Sequence, residues 1–301
     1  MDTRGRLGVY GLALVVAFAG ALGAGRIADP LVPDTAQADR PDDTAPPEME
    51  PAGLRVAQAG YRLDVLSAPQ EADDRDELAF RIVGPDTRPV TEFTTAHERR
   101  MHLIVVGRDM TGYQHLHPAM DDDGVWRTDL ELADPGPYRV FADFVPTAHS
   151  EGLVLGADLG VPGDYAPEPL PEPAATAEVD GYEVALSGEI EPGRPRDLVF
   201  TVSRDGRPVT DLEPYLGAYG HLVALRTGDL AFLHVHPKLD SGGGSPAGPD
   251  ITFSAETPSP GEYRLFLDFK HGGEVRTAEF TVAADGRWEV APPGEGAEHG
   301  H

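Results

Sequence analysis

The chain contains no cysteine. Disulfides, thiolate zinc sites, iron–sulfur clusters, blue-copper centres and cysteine nucleophiles are excluded with it. Positive charge is also scarce: 24 Lys and Arg stand against 51 Asp and Glu, for a formal net charge of −27. Such a surface repels phosphate backbones and excludes nucleic-acid binding. The familiar catalytic signatures are missing too, with no GxSxG elbow, no HExxH and no phosphate-cradling glycine loop ahead of a helix. Carboxylates are abundant, but spread over an acidic surface they single out no acid–base pair. The expectation is a protein that is not an enzyme; a three-histidine copper oxidase is the one catalytic reading left open.

Gly (35) and Pro (29) are plentiful, and 40% apolar residues still support real cores. The N-terminus supplies the first positive signal. Arg4 and Arg6 precede an uncharged, mostly apolar run from Leu7 to Gly25. A basic start, an apolar centre and small residues around Ala21-Leu22-Gly23 predict a signal peptide or a membrane anchor over residues 1–25, and hence export. Residues 26–55 hold six prolines and seven acidic residues with few aliphatics, a composition that predicts a disordered acidic linker. Residues 162–175 include PGDYAPEPLPEP, with five prolines in twelve residues, and read as a stiff spacer. Residues 286–301 read as a flexible tail.

What remains is two copies of one pattern. From Tyr61 the first reads YRLDVL, LAFRIV, RPVTEF, MHLIVVGRDMTGYQHLHP and PGPYRVFADF. From Tyr182 the second reads YEVALS, LVFTVS, RPVTDL, GHLVALRTGDLAFLHVHP and PGEYRLFLDF. A repeat of roughly 120 residues is a tandem domain rather than a solenoid unit. Short β-branched runs between Gly, Pro and Asp turns, without a helical period, predict an all-β fold. Two tandem immunoglobulin-like β-sandwiches follow, over 56–161 and 176–285. Tyr138 and Tyr263, each just after a Pro-Gly turn at the head of a strand, fit the tyrosine corner of such sandwiches.

Six of the eleven histidines fall in a repeated H-x12-H-x-H pattern: His102, His115 and His117, then His221, His234 and His236. Residues two apart on a strand share a face, so each HxH pair points one way. A turn centred near Asp109 and Met110 sets His102 opposite His117, with cross-strand Cβ atoms about 5 Å apart. Three imidazoles on one hairpin face suit Cu(II) or Zn(II). The competing reading is a mixed core rim, because Ile104, Val106 and Tyr113 share that face, or a pH-sensitive packing site. Met101, Met110 and Met120 lie among the first copy's histidines, and thioether with imidazole favours copper, with zinc as the alternative. Asp143 and Asp268 occupy matching positions on a later strand and stand outside the expected ligand set, as do His149, His271, His299 and His301.

An exported sandwich with a His-rich hairpin resembles the small immunoglobulin-like copper proteins of the bacterial cell envelope, of the CopC-like and YtkA-like kinds. The resemblance spans each repeat and rests on the doubled HLxxx…HxHP pattern. This chain departs from the CopC-like pattern in having no histidine near the start of its first domain. The resemblance implies copper carriage or buffering outside the cytoplasm, with an envelope copper-handling protein as partner and no catalysis. The alternative is a structural or protein-interaction module of tethered tandem sandwiches in which the histidines only pack.

Overall fold

The computed structural model describes residues 51–72, 75–149, 151–233, 235–238 and 247–284. The expected signal peptide or anchor, residues 26–50 of the acidic linker and the tail lie outside the described residues, as does His234. Among the described residues every regular element is a β-strand, and no helix is long and apolar enough to cross a membrane.

The first repeat comprises β1 (Ala57–Gln58), β2 (Tyr61–Ser67), β3 (Arg75–Val83), β4 (Phe93–Thr94), β5 (His102–Gly107), β6 (Gln114–Leu116), β7 (Ala119–Met120), β8 (Val125–Glu131), β9 (Gly136–Pro146) and β10 (Leu153–Val161). One sheet runs β1-β2-β3-β8-β7 and the other β10-β9-β5-β6, all antiparallel. The second repeat comprises β11 (Thr176–Val179), β12 (Tyr182–Ser187), β13 (Arg196–Arg204), β14 (Arg207–Pro208), β15 (Gly220–Arg226), β16 (Phe232–Leu233), β17 (Val235–Pro237), β18 (Asp250–Ala255), β19 (Gly261–His271) and β20 (Glu274–Ala284). Its sheets run β11-β12-β13-β18-β17 and β16-β15-β19-β20. Each repeat therefore sets strands in the order A-B-E-D against G-F-C-C′, the arrangement of an immunoglobulin-like sandwich.

The strands form where side chains alternate between core and outside. On β12, Tyr182, Val184 and Leu186 enter the second core while Glu183 faces out. Tyr61 and Leu63 on β2 do the same in the first. Both tyrosine corners are closed: Tyr138 donates its hydroxyl to the carbonyl of Asp134 at 2.8 Å, and Tyr263 donates to the carbonyl of Ser259 at 2.7 Å.

A third apolar cluster belongs to neither sandwich alone. Ile104, Val106, Phe141 and Val154 of the first repeat pack with Val223, Leu225, Leu230 and Phe266 of the second, all buried. The Tyr113 ring lies flat on Phe266, with centroids 4.0 Å apart and planes 5° from parallel. The G-F-C-C′ sheets of the two repeats thus meet through their outer faces.

The described end of the first Pro-rich segment, residues 51–55, and part of the second lie along this seam. Ala52, within the expected disordered linker, accepts the amide hydrogen bond of Phe232 in the second repeat. Gly53 bonds Val154 and accepts from Arg139 in the first. Gly156 makes that approach possible: a Cβ there would sit 2.0 Å from the Gly53 carbonyl oxygen. In the spacer, the Glu168 amide donates to Asp109 Oδ2 at 3.0 Å, and Leu170 packs against the shared cluster. Composition favoured solvated chain here; the seam supplies acceptors and apolar surface that composition does not reveal.

Candidate metal centre between the two sandwiches

Alternation along β5 sends Met101, Leu103 and Val105 into the first core and His102, Ile104 and Val106 to the outer face. On β15, Leu222 and Ala224 face the second core, while His221, Val223 and Leu225 face the first repeat. The mixed face noted in the sequence is therefore the seam, with equivalent strands of the two repeats opposed across it. The His102 and His221 rings stack 5.4 Å apart and 4° from parallel.

The hairpin of β5 and β6 pairs Leu103 with Leu116 and Ile104 with His115. Continued by one residue, that register sets His117 opposite His102, as the turn near Asp109 and Met110 requires. Among the described residues, His102, His115 and His117 are the one group whose ligand atoms gather closely enough to hold an ion, all within 4.8 Å of one another. Tetrahedral bonds of about 2.0–2.1 Å to a shared ion set ligand nitrogens about 3.4 Å apart, so the rings would close by up to about 1.4 Å.

Hydrogen bonds define which nitrogens are available. His102 Nε2 lies 3.1 Å from the carbonyl oxygen of Ala96, which can only accept, so that nitrogen carries the proton. His115 Nδ1 lies 2.8 Å from Asp268 Oδ2 and donates to that carboxylate. Asp268, 2% exposed, also accepts from the Thr277 hydroxyl at 2.6 Å. In the neutral rings the remaining nitrogens, His102 Nδ1 and His115 Nε2, then face each other at 3.1 Å with a lone pair each. His117 Nε2 is buried without a partner. Lone pairs do not attract; a cation among these atoms, or a proton that makes His115 an imidazolium, resolves the arrangement. A ligating imidazole whose second nitrogen is held by a carboxylate or a carbonyl is the usual outer shell of a metal site.

Burial holds His102 down to about 4 and His117 to about 3, helped in both by the other histidines and by Arg99; the Ala96 hydrogen bond opposes this for His102. Burial likewise pushes His221 well below the ordinary histidine range. Asp143, paired across the strands with His102, is raised to about 6 by loss of water, with His115 opposing. Tyr215, its ring 6.4 Å from His117, is raised to about 12 by burial and then by Asp268.

The six expected ligands are thus distributed unequally. The first triad comes together. His221 joins it from the other side of the seam, its ring 4.6 Å from that of His115. His236 is exposed on β17, opposite Ser254 in the other sheet of its sandwich, and His234 lies outside the described residues. The donor set also changes the argument over the metal. Met110 packs in the seam and Met120 against the first core, while Met101, a core residue, also lines an open pocket beside His117. What faces the three imidazoles is imidazole and carboxylate.

Sequence reasoning missed His97. It sits on a tight turn, Ala96 to Arg99, with φ of 47° at His97 and 63° at Glu98. Its ring centroid is 6.1 Å from His102 and 6.0 Å from His221. The equivalent turn, Tyr215 to Ala218, has Leu216 and Gly217 at positive φ, so the second repeat offers no matching imidazole. The available signal was a fourth histidine five residues before His102 in one copy only. The role of Asp268 carried no signal beyond its match to Asp143.

A family model described as "Domain of unknown function (DUF8832)" matches twice, over residues 56–154 and 177–286. No curated protein matches the chain. Among solved structures the chain is similar to the Escherichia coli adhesin FdeC, at 14% identity and TM-score 0.23 over 75% of this chain and 64% of that one. It is also similar to a putative membrane anchored protein from Corynebacterium diphtheriae, at 10% identity and TM-score 0.22 over 78% and 60%. Domains 4 and 5 of the S-layer protein SbsC match at 10% identity and TM-score 0.22 over 76% and 98%. The chain spans less than two thirds of the length of the first two.

Proposed function

The chain belongs to this DUF8832 family of unknown function through both of its halves, and from that premise we propose, on its own residues, an exported metal-binding protein that carries or buffers one transition-metal ion between its sandwiches. The single observation that carries this reading is the lone-pair arrangement. His102 and His115 spend their only protons on Ala96 and Asp268, leaving two bare nitrogens 3.1 Å apart beside the orphaned His117 Nε2.

His102, His115 and His117 would hold the ion, with His221 as the nearest further imidazole. A neutral set of imidazoles backed by a carboxylate suits Cu(II) or Zn(II), and copper is the metal we assign, on imidazole affinity and the Irving–Williams order. Export rests on residues 1–25. Nothing in the site reads as a catalytic base or nucleophile directed at a substrate, and the role is binding.

One observation favours a second reading, a structural module. As an imidazolium, His115 satisfies both Asp268 and His102 with no ion, and the apolar seam packs independently of the site.

The test uses the full chain with His299→Ala and His301→Ala, so that the tail contributes no imidazole. Titration with Cu(II) and with Zn(II) should give one tight site per chain, lost in His102→Ala/His115→Ala. Binding unchanged by that pair, or no tighter than a polyanion's, refutes the metal reading and leaves the module. A site with equal preference for zinc keeps the centre and corrects the metal.

A further inference from the structure

Next to the histidines is a pocket of about 440 Å³ lined by Thr95, Glu98, Arg99, Arg100, Met101, His117, Pro118 and Trp126. Its polar inventory is one-sided. Arg99 and Arg100 carry two positive charges in a chain of net charge −27, and among the described residues neither forms an ion pair with a carboxylate. Arg99 reaches no acceptor beyond the neighbouring Glu98 carbonyl, at 3.4 Å, and the Arg100 guanidinium lies 5.7 Å over the Trp126 ring. Trp126 is 1% exposed, and its buried indole N–H finds no acceptor. An indole N–H can only donate, as can a guanidinium. Glu98 is the only carboxylate on the wall.

We propose that this pocket binds a small organic polycarboxylate anion. Planar bidentate recognition by guanidinium groups is the chemistry that carboxylates meet best, and the pocket offers two of them. A volume of a few hundred Å³ suits a small molecule. At the matching position of the second repeat Ile251 pairs with Phe200, where Trp126 pairs with Phe80 in the first. The consequence for the metal rests on the function proposed above: the anion is the form in which a chelated ion reaches His117, which shares the pocket wall.

Citrate is the probe. Titrated into metal-free full-length protein, it should bind saturably, and at least tenfold more weakly to Arg99→Gln/Arg100→Gln. Glu98→Gln should tighten it by removing the one repulsive carboxylate on the pocket wall. His102→Ala/His115→Ala, which removes metal binding and touches no pocket residue, should leave citrate affinity unchanged. No saturable citrate binding, equal affinity in the arginine variant, or equal affinity for inorganic phosphate would each overturn the proposal without bearing on the metal site.

Discussion

His115 and Asp268 lie 153 residues apart and meet at 2.8 Å across the seam, each side chain 3% exposed. The imidazole comes from β6 of the first sandwich and the carboxylate from β19 of the second. The tautomer of neutral His115 in one domain is therefore set by the other, and the proposed centre would be a property of the pair rather than of either repeat.

Replacing that carboxylate by its amide tests this dependence. Asp268→Asn keeps the shape but weakens the acceptor that orients His115. Metal affinity should fall about 10- to 100-fold, the usual cost of an outer-shell partner. Calorimetric titration reads it directly; affinity equal to the parent's would show that His115 is oriented without Asp268.

Acid should destabilise the metal-free protein from below about pH 6.5. His102 and His117 titrate near 4 and near 3 in the folded state, and His221 well below the ordinary value, so the unfolded chain binds more protons than the native one in that window. Stability from these groups is complete above about pH 6.5 and is lost as pH falls towards their folded values. Asp143 works in the opposite sense: held near 6, it contributes stability that is present below about 3.8 and disappears as pH rises through 6. Three histidines outweigh one carboxyl, so the net slope is positive. Urea unfolding at pH 7 and pH 4.5 should show the lower midpoint at pH 4.5. The same shifts keep His102 and His117 neutral in the folded protein at pH 5, so their lone pairs should stay open to a metal at lower pH than free imidazole allows.

The seam can be weakened without touching a ligand. Phe266 is fully buried, stacked on Tyr113 and part of neither sandwich core. Phe266→Ala should cost about 3–5 kcal/mol and uncouple the repeats, turning one thermal transition into two. A single transition with an unchanged midpoint would mean that the domains are held together elsewhere.

Much of this was legible in the sequence, and the part that was not has a physical reason. The period-2 runs from Tyr61 and Tyr182 located the strands and cores. The Pro-Gly-x-Tyr turns located both tyrosine corners, and the spacing between His102 and His117 located the hairpin register. Alternation also marked Ile104, Val106 and Tyr113 as sharing the histidine face. What covers a face is decided by non-local packing, and no spacing along the chain brings His221 and Asp268 to the first repeat. Identical spacing in both copies suggested two sites, one per repeat. The copies differ where the local pattern is silent: His97 on one turn against Leu216 on the other, and His236 carried away on β17.

Pro51 to Arg55 enters between the sandwiches, gripped on one side by Phe232 and on the other by Val154 and Arg139. Tension on the chain ahead of residue 51 is accordingly delivered to the joint and not to the end of a domain. Ala52 is attached to Phe232 by a single bridge at the edge strand β16, and Gly53 and Arg55 are bonded to Val154 and Gly156, so load would meet these few bonds before either sandwich is stretched. The first mechanical event in a tethered molecule would then be the unlatching of the strap that runs over the seam, with both immunoglobulin-like cores still intact.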